Sequence, residues 1–366
     1  MPMFPVIEVS GGAFERGRRH GEKARAHIAR SIANYADLFD FCGLSWAAAQ
    51  DLARPYRDVI GGFDAALLEE IDGIARGSGR GEAEILALNV RTEILPPSYL
   101  AGGDRGECTA IAVGPAASLT GSALLAQNWD WIGAQREALV LLRVAEEGGD
   151  PACLTLTEAG MLAKIGLNAA GFGVCLNILR SVFDGARTGV PVHVLLRALL
   201  KRASVRDAVE FAGKLSFGGS SNVLCADRGG DAASLEFSPR GLRVVRGDGA
   251  TLCHTNHFVH PEARSWQALL ADNLSTEPRL ECARRHAAAR ARHGIEDLKR
   301  LLRDESAGVL SICRKPDLSL PAQARIESVA SVIMELARGA MHVASDIPSR
   351  TDYLRVALAP EAVPVS

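Results

Sequence analysis

A cysteine and an aspartate frame two consecutive apolar runs of the chain. Cys108 directly precedes the run TAIAV, and Asp130 follows the run ALLAQNW, which begins after a polar turn. Short apolar runs separated by turn residues predict neighbouring β-strands. A thiol at the start of one strand and a carboxylate at the end of the next would then lie side by side. The chemistry that suits such a pair is nucleophilic attack by sulfur.

A cysteine nucleophile needs a base that removes its proton. The usual partner is histidine, but none of the nine histidines stands in a recognisable cysteine-protease context. The alternative is the cysteine's own α-amine, whose pKa of about 7.7–8.0 lies close to working pH. This solution, known from N-terminal threonine hydrolases, requires the preceding peptide bond to be broken. We therefore expect the Cys108 thiol to attack the Glu107 carbonyl and water to release the resulting ester.

The elements that position these residues follow from hydrophobic periodicity. Apolar residues at three- and four-residue spacing predict helices through 13–95, and the Pro- and Gly-rich segment 96–107 predicts an exposed connection. From Cys108 onward, short β-type runs with short turns predict antiparallel hairpins. Helices segregated around two groups of antiparallel strands predict an α+β fold, which a helix–sheet–sheet–helix sandwich would accommodate. The later elements are predicted as helices over 190–201, 204–215 and 263–303, and as strands over NVLCAD, ASLEFS, LRVVRG, 328–335, 338–344 and 353–358.

Composition narrows the class of protein. The 366 residues are 48% hydrophobic and 23% charged, which is typical of a soluble globular chain with one large core or two domains. A net charge of −2 gives no reason to expect nucleic acid or an anionic membrane as partner. The N-terminus lacks a signal-peptide pattern, and no uncharged apolar run approaches the roughly 20 residues of a membrane helix. We therefore expect a cytoplasmic protein.

The remaining motifs have simpler interpretations than ligand sites. None of the eight cysteines forms a C-x-x-C pair, which argues against a zinc ribbon, and most lie in apolar runs typical of buried thiols. The GSGRG segment at 77–81 lacks the Lys-Ser/Thr of a phosphate loop, so a helix C-cap is the better interpretation. His254, His257 and His260 recur every third residue, but this spacing on a loop need not converge on one ion.

The block CTAIAV…GSALLAQNWDW, from Cys108 to Trp131, resembles a known family. It is similar to the penicillin acyltransferase-like, autoproteolytic N-terminal-nucleophile (Ntn) hydrolases, relatives of conjugated bile acid hydrolase and acid ceramidase. The resemblance covers most of the chain, because it extends to GLNAAGFGVCLN, SSNVLCAD, ESVASVIMEL and the glycines around Gly11, Gly17 and Gly21.

The resemblance implies a fold and a division of the chain. The fold is an αββα four-layer sandwich of two antiparallel sheets between helices, with a helical N-terminal segment. Residues 1–107 would be a helical pro-segment that becomes the α subunit, and residues 108–366 the β subunit of one intertwined unit. The loop 253–261 would face the substrate.

The resemblance also implies roles for single residues. Cys108 is the nucleophile and its freed amine the base. Asp130 binds and positions the new α-ammonium, since a buried carboxylate and an ammonium neutralise each other. Asn222, and by analogy with the bile acid hydrolases Asn177, donate to the oxyanion, and one such donor is worth roughly 2.7–4 kcal/mol. Arg325 lies near the sulfur and lowers the pKa of the thiol.

The function implied is hydrolysis of an amide, or transfer of an acyl group, through a thioester on Cys108. The substrate would be a small N-acyl amide or acyl thioester, without cofactor, metal, nucleic acid or membrane, and the enzyme is a possible homo-oligomer. One departure is Glu107, where the fungal acyltransferase type has glycine, and another is a longer hairpin between Cys108 and Asp130. The alternative is a non-maturing, non-catalytic binding or scaffold protein on the same fold.

Overall fold

The computed structural model describes residues 3–96, 108–247, 249–268 and 275–359. The strands are β1 (Val6–Val9), β2 (Thr109–Val113), β3 (Leu124–Ile132), β4 (Leu139–Val144), β5 (Cys153–Glu158), β6 (Ile165–Asn168), β7 (Phe172–Ile178), β8 (Ser221–Asp227), β9 (Ala232–Ser238), β10 (Gly241–Arg246), β11 (Thr251–His254), β12 (Ile326–Glu335), β13 (Ala340–Ala344) and β14 (Leu354–Ala357). The helices are α1 (Ala13–Lys23), α2 (Arg25–Phe41), α3 (Trp46–Ala53), α4 (Tyr56–Phe63), α5 (Ala65–Ser78), α6 (Glu82–Asn89), α7 (Arg91–Ile94), α8 (Val192–Leu199), α9 (Val205–Ala212), α10 (Thr276–Ala288) and α11 (Ile295–Leu302).

The strands form two sheets. The large sheet has the order β1-β4-β5-β6-β7-β8-β9-β10, and the small sheet has the order β11-β2-β3-β12-β13-β14. Neighbouring strands run antiparallel, as predicted, apart from β1, which lies parallel to β4. A parallel pair needs a long crossover, and here helices α1 to α7 and strands β2 and β3 supply it.

Side chains on β2 and β3 alternate between two cores. Ala110 and Leu125 belong to the core shared with the large sheet, whereas Ile111 and Leu124 belong to the core shared with α10 and α11. Both faces of these strands are therefore covered, which is why each one is a continuous apolar run in the sequence. On the far side of the large sheet, α9 contacts β8 and β9. The layers are helix, sheet, sheet and helix, which confirms the αββα sandwich.

The N-terminal helices are held together by a very close crossing of α1 and α5. A Cβ atom on Gly17 would lie 1.9 Å from the carbonyl oxygen of Glu70, and one on Gly77 would lie 2.0 Å from that of Arg18. The two backbones touch, so neither glycine can be replaced without separating the helices. Helix α5 then ends at Gly79 in the left-handed conformation, with φ +69°, which confirms the C-cap interpretation of GSGRG.

The helical stretch predicted over 263–303 is shorter and broken. Residues 251–268 form β11 and a loop with one 3₁₀ turn, and helices α10 and α11 come after residue 275. The main-chain N–H of Gly294 donates to Asp297 at 2.9 Å, which begins the second helix anew. The helices predicted around 190–201 and 204–215 are confirmed as α8 and α9, as is the helical character of 13–95.

Two further sequence-based expectations concern the division of the chain and membrane helices. Glu107 lies outside the described residues, so the division of the chain after residue 107 stays a prediction. Within the described ranges, no helix is both long enough and apolar enough to cross a bilayer.

Candidate active site

Cys108 lies at the entrance to β2, which stands between β11 and β3 in the small sheet, and is almost completely buried. It belongs to the core between the sheets, so its side chain faces the large sheet. Two donors bind its main-chain carbonyl oxygen: the side-chain amide of Asn177 at 3.0 Å and the guanidinium of Arg279 at 2.9 Å. The main chain at the predicted nucleophile is therefore held by a strand of the large sheet and by helix α10.

The two predicted oxyanion donors lie side by side on the large sheet. Asn177 on β7 is paired in register with Asn222 on β8, and both are fully buried. The Nδ2 amide of Asn222 donates to Oδ1 of Asn177 at 3.1 Å, and Asn177 in turn donates to Cys108. We call these two consecutive hydrogen bonds the relay. Each amide nitrogen carries two N–H groups, and the relay uses one N–H group of each nitrogen. The structure thus brings together three of the five predicted site residues.

Asp130 lies on β3 with its side chain on the opposite face of the small sheet, away from the sulfur. Ser328 donates to its Oδ1 atom at 2.7 Å, at the point where the register of β12 slips. Its Oδ2 atom has no hydrogen-bond partner among the described residues. Burial raises the pKa of Asp130 above its ordinary value of 3.8, and the positive charges of Arg279 and Arg314 partly oppose this rise. The partners of the carboxylate are thus Ser328 and the two arginines, and its role toward the Cys108 amine stays a prediction.

Arg279 on α10 is the cation of the site, although its guanidinium is fully buried. Besides the Cys108 carbonyl, it donates to the hydroxyl of Thr109 at 3.0 Å and to the amide oxygen of Asn256 at 3.2 Å. Its Nε atom donates to Ser275 at 3.3 Å. It therefore joins the start of β2 to the loop after β11.

Arg314 is the second cation beside Asp130. Its guanidinium donates to the hydroxyl of Ser275 at 3.2 Å, and its main-chain N–H donates to the hydroxyl of Ser328 at 3.0 Å. The Ser275 hydroxyl therefore accepts a hydrogen bond from each arginine, and the Ser328 hydroxyl links the main chain of Arg314 to Asp130. Both arginines therefore act on the same buried carboxylate.

The structure does not bring Arg325 to the nucleophile. Its guanidinium donates to the main-chain carbonyl oxygens of Leu320 at 2.7 Å and Leu318 at 3.1 Å, at the partly exposed start of β12. The role expected of Arg325 stays a prediction. The cations that the structure places around Asp130 are Arg279 and Arg314.

Sequence reasoning missed Arg279 because it lies in a helix rich in arginine. The signal was its spacing: Cys282 and Ala283, three and four residues later, are buried on the same face. An arginine on the same helix face as the buried apolar residues points inward. Arg284 and Arg285 lie on the other face and are exposed. Arg314 has no periodic element around it and offers no such signal.

His254 at the end of β11 and the histidines of the following loop, His257 and His260, have different partners. His254 bonds to Glu236 through Nε2 at 2.8 Å, and His257 bonds to Thr276 through Nδ1 at 2.9 Å. Nδ1 of His260 accepts the main-chain N–H of Glu262 at 3.3 Å. The three rings therefore share no common ligand position.

Comparison with known proteins assigns the class and the family. The solved structure of a variant of conjugated bile acid hydrolase from Clostridium perfringens aligns with a TM-score of 0.50 at 12% identity, over 68% of this chain and 96% of that one. Penicillin V acylase from Agrobacterium tumefaciens aligns with a TM-score of 0.42 at 14% identity, over 65% and 83%. The first alignment, together with the two-sheet sandwich, places the fold among the Ntn hydrolases.

The sequence comparisons are more specific. The family described as acyl-coenzyme A:6-aminopenicillanic acid acyl-transferase matches residues 118–349. The 40 kDa form of acyl-coenzyme A:6-aminopenicillanic-acid-acyltransferase from Emericella nidulans is 33% identical over 315 residues, which is 84% of each chain. The chain belongs to this acyltransferase family, and it is an enzyme of the Ntn-hydrolase type.

Proposed function

We propose that the chain is a precursor that cleaves itself between Glu107 and Cys108. The thiol attacks the Glu107 carbonyl carbon, and the acyl group moves from nitrogen to sulfur. Water then hydrolyses the thioester, which releases the Glu107 carboxylate and frees both the thiol and the α-amine of Cys108. The products are an α chain ending at Glu107 and a β chain beginning at Cys108, both from one precursor.

The mature enzyme then transfers an acyl group through the same sulfur. The α-amine of Cys108 takes the thiol proton, and the thiolate attacks the carbonyl of an N-acyl amide or acyl thioester. The amides of Asn177 and Asn222 stabilise the tetrahedral oxyanion, and the proton passes to the leaving amine or thiol. Water, or an acceptor amine, then attacks the thioester and regenerates the enzyme.

The observation that carries this proposal is the relay from Asn222 through Asn177 to the Cys108 carbonyl. Neutral amide donors, buried beside a candidate nucleophile, favour an anion that exists only in the transition state over a permanent charge. On the other side, Asp130 offers one buried carboxylate oxygen without a partner among the described residues, where an α-ammonium would be stabilised.

The substrate class follows from the family. The Emericella relative is described as acting with acyl-coenzyme A and 6-aminopenicillanic acid. We infer a small acyl donor for this chain as well, with hydrolysis and transfer as alternative fates of the thioester. No disulfide joins any of the eight cysteines, all of which lie within the described residues, and this suits a reducing compartment such as the cytoplasm.

The test is a substrate panel followed by trapping of the acyl group. N-acyl amino acids, β-lactams and acyl-coenzyme A thioesters are incubated with the wild type and with Cys108→Ala. We expect turnover of at least one class by the wild type only, and an acyl adduct on the peptide that begins with Cys108. Equal turnover by Cys108→Ala would contradict the proposal. No turnover, together with no preferential alkylation of Cys108 at neutral pH, would favour the scaffold alternative.

A further inference from the structure

A second group of reactive side chains lies on the outer helix layer, apart from the nucleophile. Cys282 and His286 are one turn apart on α10, and Asp304 follows the end of α11. The Cys282 sulfur lies 3.5 Å from Oδ1 of Asp304, and Nε2 of His286 lies 3.5 Å from Oδ2. The three potential ligand atoms all lie within 4.8 Å of one another.

We propose that Cys282, His286 and Asp304 bind a divalent transition-metal ion, with Zn²⁺ as the best fit. A thiolate, an imidazole and a carboxylate form a zinc ligand set, whereas Mg²⁺ and Ca²⁺ prefer oxygen ligands alone. Tetrahedral bonds of about 2.0 Å to oxygen and 2.3 Å to sulfur place those two atoms about 3.5 Å apart. The side chains already have that spacing, so binding needs little rearrangement.

Asp304 is held in place by its surroundings. Its Oδ1 atom accepts the main-chain N–H of Ser306 at 3.3 Å and the Ser306 hydroxyl at 3.0 Å. Its main-chain N–H donates to Leu301 and its carbonyl accepts from Cys313. Partners of this kind orient a ligating carboxylate before the ion arrives.

Access and charge also favour an ion at this cluster. The side chain of His286 is 37% exposed and that of Asp304 13%, so an ion can reach the ligands from solvent. The nearby Arg285 is paired with Glu281 at 3.4 Å, which reduces its repulsion of a cation. With three protein ligands, the fourth position of the ion is left for water.

The consequence concerns α10. This helix also carries Arg279, which binds the carbonyl of Cys108. An ion that joins Cys282 and His286 to Asp304 clamps α10 to the end of α11. It thereby steadies Arg279 without taking part in the chemistry.

The test uses Co²⁺ as the probe and the full chain carrying Cys108→Ala, so that the nucleophile's own thiol cannot bind the metal. We expect one Co²⁺ per chain, a thiolate-to-cobalt charge-transfer band in the near ultraviolet, and displacement of Co²⁺ by Zn²⁺. Adding Cys282→Ser should abolish the band. His286→Gln and Asp304→Asn should each weaken binding at least tenfold, and Ser306→Ala should weaken it about tenfold through the orientation of Asp304.

Matched controls are Cys42→Ser and His342→Gln, which alter a thiol and an imidazole elsewhere in the fold and should leave binding unchanged. Zn²⁺ should also raise the melting temperature only where all three ligands are intact. If Cys282→Ser does not fold, His286→Gln on the half-exposed side chain gives the same answer. A band that survives His286→Gln at full affinity, or absence of the band in the parent chain, overturns the site and leaves a thiol-to-carboxylate hydrogen bond only.

Discussion

The two faces of the small sheet contribute different chemistry to the same residue. On the face toward the large sheet, Cys108 meets the neutral amide of Asn177, to which the amide of Asn222 donates in turn. On the face toward α10, the neighbouring groups are charged: Asp130, Arg279 and Arg314. Neutral donors favour a transient oxyanion, whereas fixed charges favour a permanent ionic partner such as a chain terminus. In the proposed mechanism, the inner face serves the reaction and the outer face holds the start of β2.

The largest effect is expected from removing the buried cation on the charged face. Arg279→Met leaves Asp130 with one compensating charge fewer and the Cys108 carbonyl with one donor fewer. We expect a loss of about 3–5 kcal/mol in the free energy of unfolding. Self-cleavage should slow at least about a hundredfold. Urea unfolding and the rate of precursor conversion measure the two effects, and a stable, normally cleaving variant would remove Arg279 from the site.

On the neutral face, Asn222→Ala should act on turnover more than on stability. We expect kcat to fall by about 10²–10³, with a smaller change in KM, because the lost donor acts on the oxyanion. Asn177→Ala should show the same fall and an additional loss of about 1–3 kcal/mol in stability, because the Cys108 carbonyl loses a donor. Steady-state kinetics and urea unfolding separate the two variants. Equal stability losses at both positions would contradict the relay.

The pH dependence of stability tests the state of Asp130. The folded-state pKa of Asp130 is raised above 3.8, so its contribution to stability is full below 3.8 and is lost as the pH rises through the folded pKa. The stability of the wild type relative to Asp130→Asn should therefore fall as the pH rises across that window and then become constant. Urea unfolding of both proteins in a Cys108→Ala background measures the difference. A relative stability that rises with pH would show a depressed pKa instead.

The smallest effect is expected at Arg325. Its guanidinium binds loop carbonyls at a partly exposed position, so Arg325→Met should change stability by no more than about 0.5 kcal/mol and activity by less than twofold. It is the matched control for Arg279→Met, since both remove one guanidinium. A hundredfold loss of activity at Arg325 would restore the role first assigned to it and weaken the comparison of the two faces.

The parts of the fold that sequence predicts are those with a clear local pattern. The runs around Cys108 and Asp130 are continuous and apolar because both faces of their strands are covered. The two strands pair antiparallel across the connection 114–123, as the sequence predicts. Strand β1 is a different case. Its four residues lie far from β4 in sequence, and only the completed fold supplies the edge that it joins.

The site residues likewise differ in how far the sequence alone reveals them. Cys108 and Asp130 stand out from their positions at strand ends, whereas Asn177 and Asn222 were found only through the family motif. Their pairing depends on register between β7 and β8, which spacing along the chain does not reveal. Arg279 can be found only by asking which arginines of its helix share a face with the buried apolar residues. Arg325 was assigned from the family resemblance alone.

The most direct test of the account is the mass of the purified protein and the N-terminus of its fragments. The account predicts two chains, of which one begins with Cys108, and a single uncleaved chain for Cys108→Ala. A wild type that remains one intact chain while it turns over substrate would contradict the account, because the Cys108 amine would then still be part of a peptide bond.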